Sequence, residues 1–344
     1  MAKVRMSDVA ARAGVSTATV SLVLSGRDAA RVSPQTQQRV RAAAEAVGYK
    51  PNSVARSLRT QQTRMVGLIS DTIASTPFAG RMLAGANDVA REQGHLVILV
   101  DTEQDPAAER QALNALSGQQ VDAMIYASMH HRVVEVPDGL PGDAVLLDCA
   151  PANGGRPAVV PDERAGGVAA VRELVAAGHR RIAFLDADER FGLVASPLRY
   201  EGYLQVLAEA GIEPDPALHA RAEPVAGGGR EAAGRLLDLP AAHRPTAMFC
   251  FNDRMAMGAY AAAHHRGLSV PGELSVVGYD DQQLVAAELD PPLTTIALPH
   301  YEMGRWAMEV ALGLRPADPA APHRMPCPVI RRASVGPPPA ASSD

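Results

Sequence analysis

Several polar side chains in this sequence directly follow short apolar runs. Asp148 follows Val145-Leu146-Leu147, Asn252 and Asp253 follow Met248-Phe249-Cys250-Phe251, and Asp280 and Asp281 follow Val276-Val277-Gly278-Tyr279. In open α/β sheets the ligand crevice lies beyond the carboxyl ends of such strands. Arg199, at a helix start after Ser196-Pro197, adds a rigid fork of donors to these acceptors. The set suits reversible hydrogen bonding of a small molecule. Plainer roles stay open for single members: Asp253 as a helix N-cap, Asp148 as a turn residue, Arg199 in a surface ion pair. Covalent or redox chemistry finds no support, since no nucleophile elbow, phosphate-binding loop or metal-spaced cluster occurs. Gly227-Gly228-Gly229-Arg230 reads as a loop and helix start, not a phosphate cradle. In the pairs His130-His131 and His264-His265 the adjacent side chains should point apart, so neither metal nor cofactor is expected.

A second chemistry lies at the N-terminus. Met6 to Leu24 reads as two short helices joined by a tight turn. Val9, Ala10 and Ala13 recur at helical spacing, Gly14 breaks the helix, Val15 can plug the gap, and Ser16 is an N-cap. Thr17 to Leu24 resumes the helix with Val20, Val23 and Leu24 inward. Two helices and a Gly-containing turn form a helix-turn-helix, whose second helix enters a DNA major groove. Residues 1–60 carry ten basic and three acidic side chains, a balance of +7 that leaves −12 for the remainder of a chain of net charge −5. A basic head on an acidic body suits a polyanionic partner.

The elements that must position these groups alternate. A third helix, Thr36 to Val47 after Ser33-Pro34, closes the head. Ser53 to Leu58 is a helical stretch too short to persist alone. Strands are expected at 66–69, 96–100, 121–126, 145–147, 158–160, 182–185, 247–251 and 274–277. Between them fall helices at 80–93, 106–116, 163–177, 198–210, 230–237 and 254–266. Short, fully apolar strands alternating with helices imply parallel sheets covered on both faces, and there are too many for one small sheet.

SDVAARAGVSTATVSLVLSG followed by VSPQTQQRVRAAAEAVGYKPNSVARSLRTQQT resembles the DNA-binding head and hinge of the LacI/GalR family of bacterial transcriptional regulators. The resemblance runs from Val4 to Val335. Its later marks are GHRRIAFL (178–185), FNDRMAMGAY (251–260), LSVVGYDD (274–281) and PPLTTI (291–296). It implies an N-terminal all-α helix-turn-helix head and an α/β two-lobed core like periplasmic binding proteins, with a ligand cleft between lobes and chain crossovers at the waist. The implied divisions are 1–50 for the DNA-binding domain, 51–63 for hinge helix and linker, 64–335 for the effector-binding and dimerisation core, and 336–344 for a flexible tail.

Carried over residue by residue, the resemblance gives base contacts to Thr17, Ala18 and Leu22. Leu22 stands where many members have Arg, so it cannot make a bidentate guanine contact. Ser16, Thr19, Ser21 and Arg27 would hold phosphates. Asn52, Ala55 and Leu58 form the minor-groove hinge, with Leu58 wedged at a central CG step. The effector set is Phe78, Asp148, Arg199, Asn252, Asp280 and His300 for a sugar-like ligand, with Asp148, Arg199, Asn252 and Asp280 on its hydroxyl groups and Phe78 either stacked on an apolar sugar face or packed in the core. Two departures, Thr76 for the family's Asn and Leu298 for its Gln, imply a less polar wall.

The implied function is a ligand-responsive repressor, a homodimer on a palindromic double-stranded DNA operator, released or recruited by a small sugar-like effector. The rivals are a sugar-binding receptor for transport and a sugar-modifying enzyme. The DNA-binding head and the missing signal peptide speak against the first, and the missing phosphate loop against the second. No stretch is long and apolar enough to span a membrane, and Cys149, Cys250 and Cys327 read as buried thiols, so a reducing cytoplasm is expected. The Pro-, Ala- and Ser-rich end lacks heptads, which favours a dimer over a tetramer.

Overall fold

In a computed structural model, residues 4–25, 31–49, 62–73 and 80–340 are described. The chain divides into two compact units, Met1–Thr63 and Arg64–Asp344.

Among the described residues the head holds three helices, α1 (Met6–Ala13), α2 (Thr17–Ser25) and α3 (Pro34–Ala46). Val9, Ala10, Ala13, Val20, Val23, Val40, Ala43 and Ala44 form its core, with Val15 packed against it from the turn. Gly14 ends α1 at φ 65°, a left-handed conformation that costs glycine little, and the amide of Val15 reaches back to the Ala10 carbonyl. Ser16 Oγ then accepts the Thr19 amide at 3.1 Å, and Ser33 Oγ accepts that of Thr36 at 3.3 Å ahead of Pro34. Two of the three helix starts are thus set by the serine caps that the sequence displays.

The second unit is two α/β lobes. In the first, β1 (Met65–Ser70), β2 (Leu96–Asp101), β3 (Ala123–Val134), β4 (Val145–Pro151), β5 (Ala158–Pro161) and β11 (His323–Met325) form a parallel sheet in the order β11-β5-β4-β3-β1-β2. Helix α4 (Gly80–Glu92) and the late helix α10 (His300–Ala311) cover one face, and α5 (Pro106–Gly118) covers the other. Alternation on β4 shows why: Val145 and Leu147 enter the α4/α10 core, and Leu146 enters the α5 core.

In the second lobe, β6 (Ile182–Ala187), β7 (His219–Ala222), β8 (Ala247–Cys250), β9 (Ser275–Asp280), β10 (Thr294–Ala297) and β12 (Val329–Ile330) stand in the order β12-β10-β9-β8-β6-β7, with only β12 antiparallel. Helices α6 (Glu163–Ala176) and α7 (Ala195–Glu209) cover one face, α8 (Ala226–Leu237) and α9 (Asp253–His264) the other. The chain passes between lobes after β5, after β10 and after β11, three times among the described residues.

Each covering helix pair meets through facing glycines. A Cβ on Gly85 of α4 would lie 2.0 Å from the Tyr301 carbonyl oxygen, and one on Gly304 of α10 would lie 2.0 Å from that of Met82. Gly167 and Gly202 do the same for α6 and α7, and Gly229 and Gly258 for α8 and α9. This corrects one expectation. Gly227, Gly228 and Gly229 are not a loop but the first turn of α8, which starts at Ala226. A side chain at 229 would lie 2.3 Å from the Met255 oxygen, so packing against α9 overrides glycine's poor helix propensity.

The three cysteines are free and buried. Among the described residues no helix is long and apolar enough to cross a membrane. Gly336, placed in the tail by the sequence, is tied to the core: its carbonyl accepts from His179 Nε2 at 2.9 Å and its amide donates to Ser275 Oγ at 3.0 Å.

Candidate functional site

The head presents the outer side of α2. Ser16, Thr17 and Ala18 are exposed, Thr19, Ser21 and Leu22 half-buried, and Val20 and Val23 are in the core. Leu22 stays outside the core cluster, and the Ser16 hydroxyl doubles as the cap of α2. Arg27, Asn52, Ala55, Leu58 and Phe78 lie outside the described residues.

Between the lobes of the second unit lies a cleft of about 730 Å³, lined among others by Asp148, Arg199, Asn252, Asp280 and His300. Its centre is Arg199, in the second turn of α7 and 3% exposed. Nε donates to Glu163 Oε2 at 2.8 Å, Nη1 donates to the Phe251 carbonyl, and Nη2 lies 3.8 Å from Asp280 Oδ1. The guanidinium sits 3.5 Å from the Tyr279 ring centroid and 4.5 Å from that of Phe251. It is therefore a buried, clamped cation rather than a surface ion pair, with three N–H groups left for a ligand.

Asp148 lies inside β4, not at a strand end, because β4 continues to Pro151. Ala127 pairs with Leu147 and Arg132 with Cys149, so residues 128–131 of β3 stand against Asp148 alone. This bulge explains two features. Asp148 takes φ 56°, and His130 and His131 both line the cleft, against the expectation that neighbours on a strand point apart. Asp71 braces the bulge by accepting the Met129 amide at 3.0 Å and the Arg132 guanidinium at 2.8 Å. Asp148 is 2% exposed and its Oδ1 has no partner; burial, with Glu163 nearby, pushes its carboxyl well above the usual range.

At the next strand end the helix cap falls to a different residue than expected. Asn252, not Asp253, caps α9: its extended backbone lets Oδ1 accept the Met255 amide at 2.8 Å, while Nδ2 donates to the Pro224 carbonyl at 3.0 Å. Asn252 keeps one N–H for a ligand. Asp253 is buried beneath, accepting from Thr295 Oγ1 at 2.6 Å and the Gln282 amide at 2.7 Å. Asp280, at φ 104°, accepts from Gln282 Nε2 at 2.8 Å, and burial raises its carboxyl to about 6 against the opposing pull of Arg199. Glu163, His130, His131 and Arg254 also line the cleft; in the sequence the two histidines were weighed only as metal ligands, and Glu163 and Arg254 were not singled out. The strand-end rule would have found Glu163 after β5 and Arg254 after β8.

His300 opens α10 at the second lobe crossing, and burial, helped by Arg81, holds its imidazole down to about 4. The unfolded chain protonates it near 6.5, so between these values the unfolded state binds more protons. Stability from this group is whole above pH 6.5 and is lost on the order of 3 kcal/mol as pH falls toward 4. Denaturant midpoints from pH 7 to 4.5 are expected to fall less in His300→Asn than in the parent, and parallel curves would remove His300 as the cause.

Residues 5–52 match the model of bacterial regulatory proteins of the lacI family, and 171–335 that of a periplasmic binding protein-like domain. The chain is 36% identical over 310 residues to the HTH-type transcriptional repressor CytR of Escherichia coli K12, covering 89% of this chain and 88% of that one. It is 34% identical to the ribose operon repressor of the same strain, covering 89% and 92%. A lac repressor dimer solved with operator and the anti-inducer ONPF matches with TM-score 0.75 and 26% identity, over 97% of this chain and 100% of that one. With three head helices, two parallel-sheet lobes and an interlobe cleft in place, the chain belongs to the lacI family of bacterial regulatory proteins.

Proposed function

We propose that the protein is a transcriptional repressor that binds a palindromic operator as a homodimer and changes its occupancy when a small, hydroxyl-bearing effector enters the cleft. One observation carries the reading. A single chain pairs a helix-turn-helix exposing Thr17 and Ala18 with a cleft whose buried Arg199 and Asp148 keep hydrogen-bonding capacity unspent. In this reading residues 1–50 read DNA, 51–63 couple head to core, and 64–335 bind effector and dimerise. Thr17, Ala18 and Leu22 meet base edges; Ser16, Thr19, Ser21 and Arg27 meet phosphates; Asn52, Ala55 and Leu58 enter the minor groove. Phe78, Asp148, Arg199, Asn252, Asp280 and His300 hold the effector. The protein is not an enzyme and works in the cytoplasm. An effector switches occupancy only by binding one lobe arrangement more tightly than the other.

Selection of binding sites from random duplexes at fixed, near-physiological salt tests the reading. A recovered palindrome with a central CG step supports it, and recovery of no sequence, with and without a metabolite mixture, overturns it. Ala18→Glu places a carboxylate on the exposed face of α2. It is expected to weaken operator binding at least about a hundredfold with Tm unchanged, by fluorescence anisotropy and calorimetry.

A further inference from the structure

Three residues lining the cleft each carry a buried side-chain atom without a hydrogen-bond partner: Asp148 Oδ1, His131 Nδ1 and Arg254 Nε. A buried polar group without a partner is costly, and more so on a charged side chain. Arg254 differs from its neighbours. The other two arginines lining the cleft have carboxylate partners at 2.8 Å, Arg132 with Asp71 and Arg199 with Glu163. Among the described residues Arg254 has no such partner. It is also the second residue of α9, where the helix dipole disfavours a cation and favours an anion.

The surroundings point the same way. His130 is held toward its neutral form first by burial and then by Arg132, with Asp71 opposing and Arg254 and Arg199 adding smaller pushes, so the charge of Arg254 is felt at the bulge. Asp71 answers Arg132 and Glu163 answers Arg199, so among the described residues Arg254 is the lining arginine whose charge no carboxylate answers. The floor at Arg199, Asp148 and Asn252 offers donors and acceptors suited to hydroxyl groups.

We infer that the effector is an anionic sugar, a polyhydroxylated ligand carrying a carboxylate or a phosphate, with its negative group held by the unpaired Arg254 of the second lobe. The inference rests on the cleft being the effector site. Arg254 then sets specificity: the acid form of a ligand gains a charge-assisted hydrogen bond that the neutral form lacks.

The test uses the full chain and a panel of matched sets: neutral pentoses and hexoses, their aldonic and uronic acids, and their phosphate monoesters, with acetate and inorganic phosphate alone as further arms. Tm shifts rank the panel and titration calorimetry gives Kd for the best set. An acid or phosphate ester is expected to bind at least about tenfold more tightly than its neutral parent. Which of the two wins separates carboxylate from phosphate. Arg254→Gln is expected to erase that preference while leaving affinity for the neutral parent within about threefold, and Arg254→Lys to retain part of it. Neutral sugars binding as tightly as any acid, or Arg254→Gln retaining the preference, would overturn the assignment while leaving the cleft as effector site. A panel in which no compound binds would overturn both, and operator binding by the same preparation would then leave the DNA-reading head standing.

Discussion

Arg199→Ala is expected to lose the response to effector entirely and to lower the stability of the core by about 3–5 kcal/mol. The two losses have different origins. Arg199 is the cation between Glu163 and Asp280, beneath which Asp148 already lacks a partner. Removing it leaves Glu163, 2% exposed, as a buried carboxylate without its 2.8 Å partner, which is the costly way to break a buried pair. Removing both ends is far cheaper. The double variant Arg199→Met/Glu163→Gln should recover most of the stability, because no unpaired charge is left. It should not recover the effector response, because the guanidinium is still missing. Denaturant titration and effector-induced Tm shifts, run on the parent and both variants, separate these. Recovery of the response in the double variant would reduce Arg199 to a structural residue.

The second large effect is predicted far from any ligand. Gly304→Ala adds one methyl group, yet that carbon would sit 2.0 Å from the Met82 carbonyl oxygen and 3.1 Å from the Ala86 amide nitrogen. Both are backbone atoms of a helix, so no side chain can move aside. α10 must lift off α4, and Met303, Trp306, Ala307 and Met308 leave the first-lobe core with it. The expected loss is at least about 3 kcal/mol, read as a lowered denaturant midpoint. Gly142→Ala is the control, since nothing lies within 4 Å of the added carbon, and it should stay within about 0.5 kcal/mol. Equal midpoints for the two variants would show that the crossing tolerates separation.

The contrast between these residues shows what a sequence discloses. The head is legible almost to the residue, because caps, Gly14 and the Val20/Val23 phase are local signals. The alternation of strands and helices is legible for the same reason. What failed was non-local. β7, β10, β11 and β12 are short and lack the continuous apolar run that marked the equally short β5 and β8, and α10 was passed over although Met303, Trp306 and Ala307 are spaced for one face. Gly227 to Gly229 misled because the reason for a glycine there is the backbone of another helix. At Asn252-Asp253 the N-cap fell to Asn252, since Thr295 and the Gln282 amide, distant in sequence, draw Asp253 inward. His130, His131 and Asp148 meet through a bulge that no spacing rule foretells.

The repeated passage of the chain between lobes has a consequence for biosynthesis. The first lobe is begun by residues 65–161 but takes α10 and β11 from residues 300–325, after nearly all of the second lobe has been made. On the ribosome its sheet therefore waits with the α10 side of its apolar face uncovered while some 140 further residues emerge. The second lobe has β6 to β10 and all four of its helices in one continuous stretch, and lacks only β12. The later-made lobe is thus the one equipped to fold first, and the earlier-made one is the stage most open to capture by chaperones.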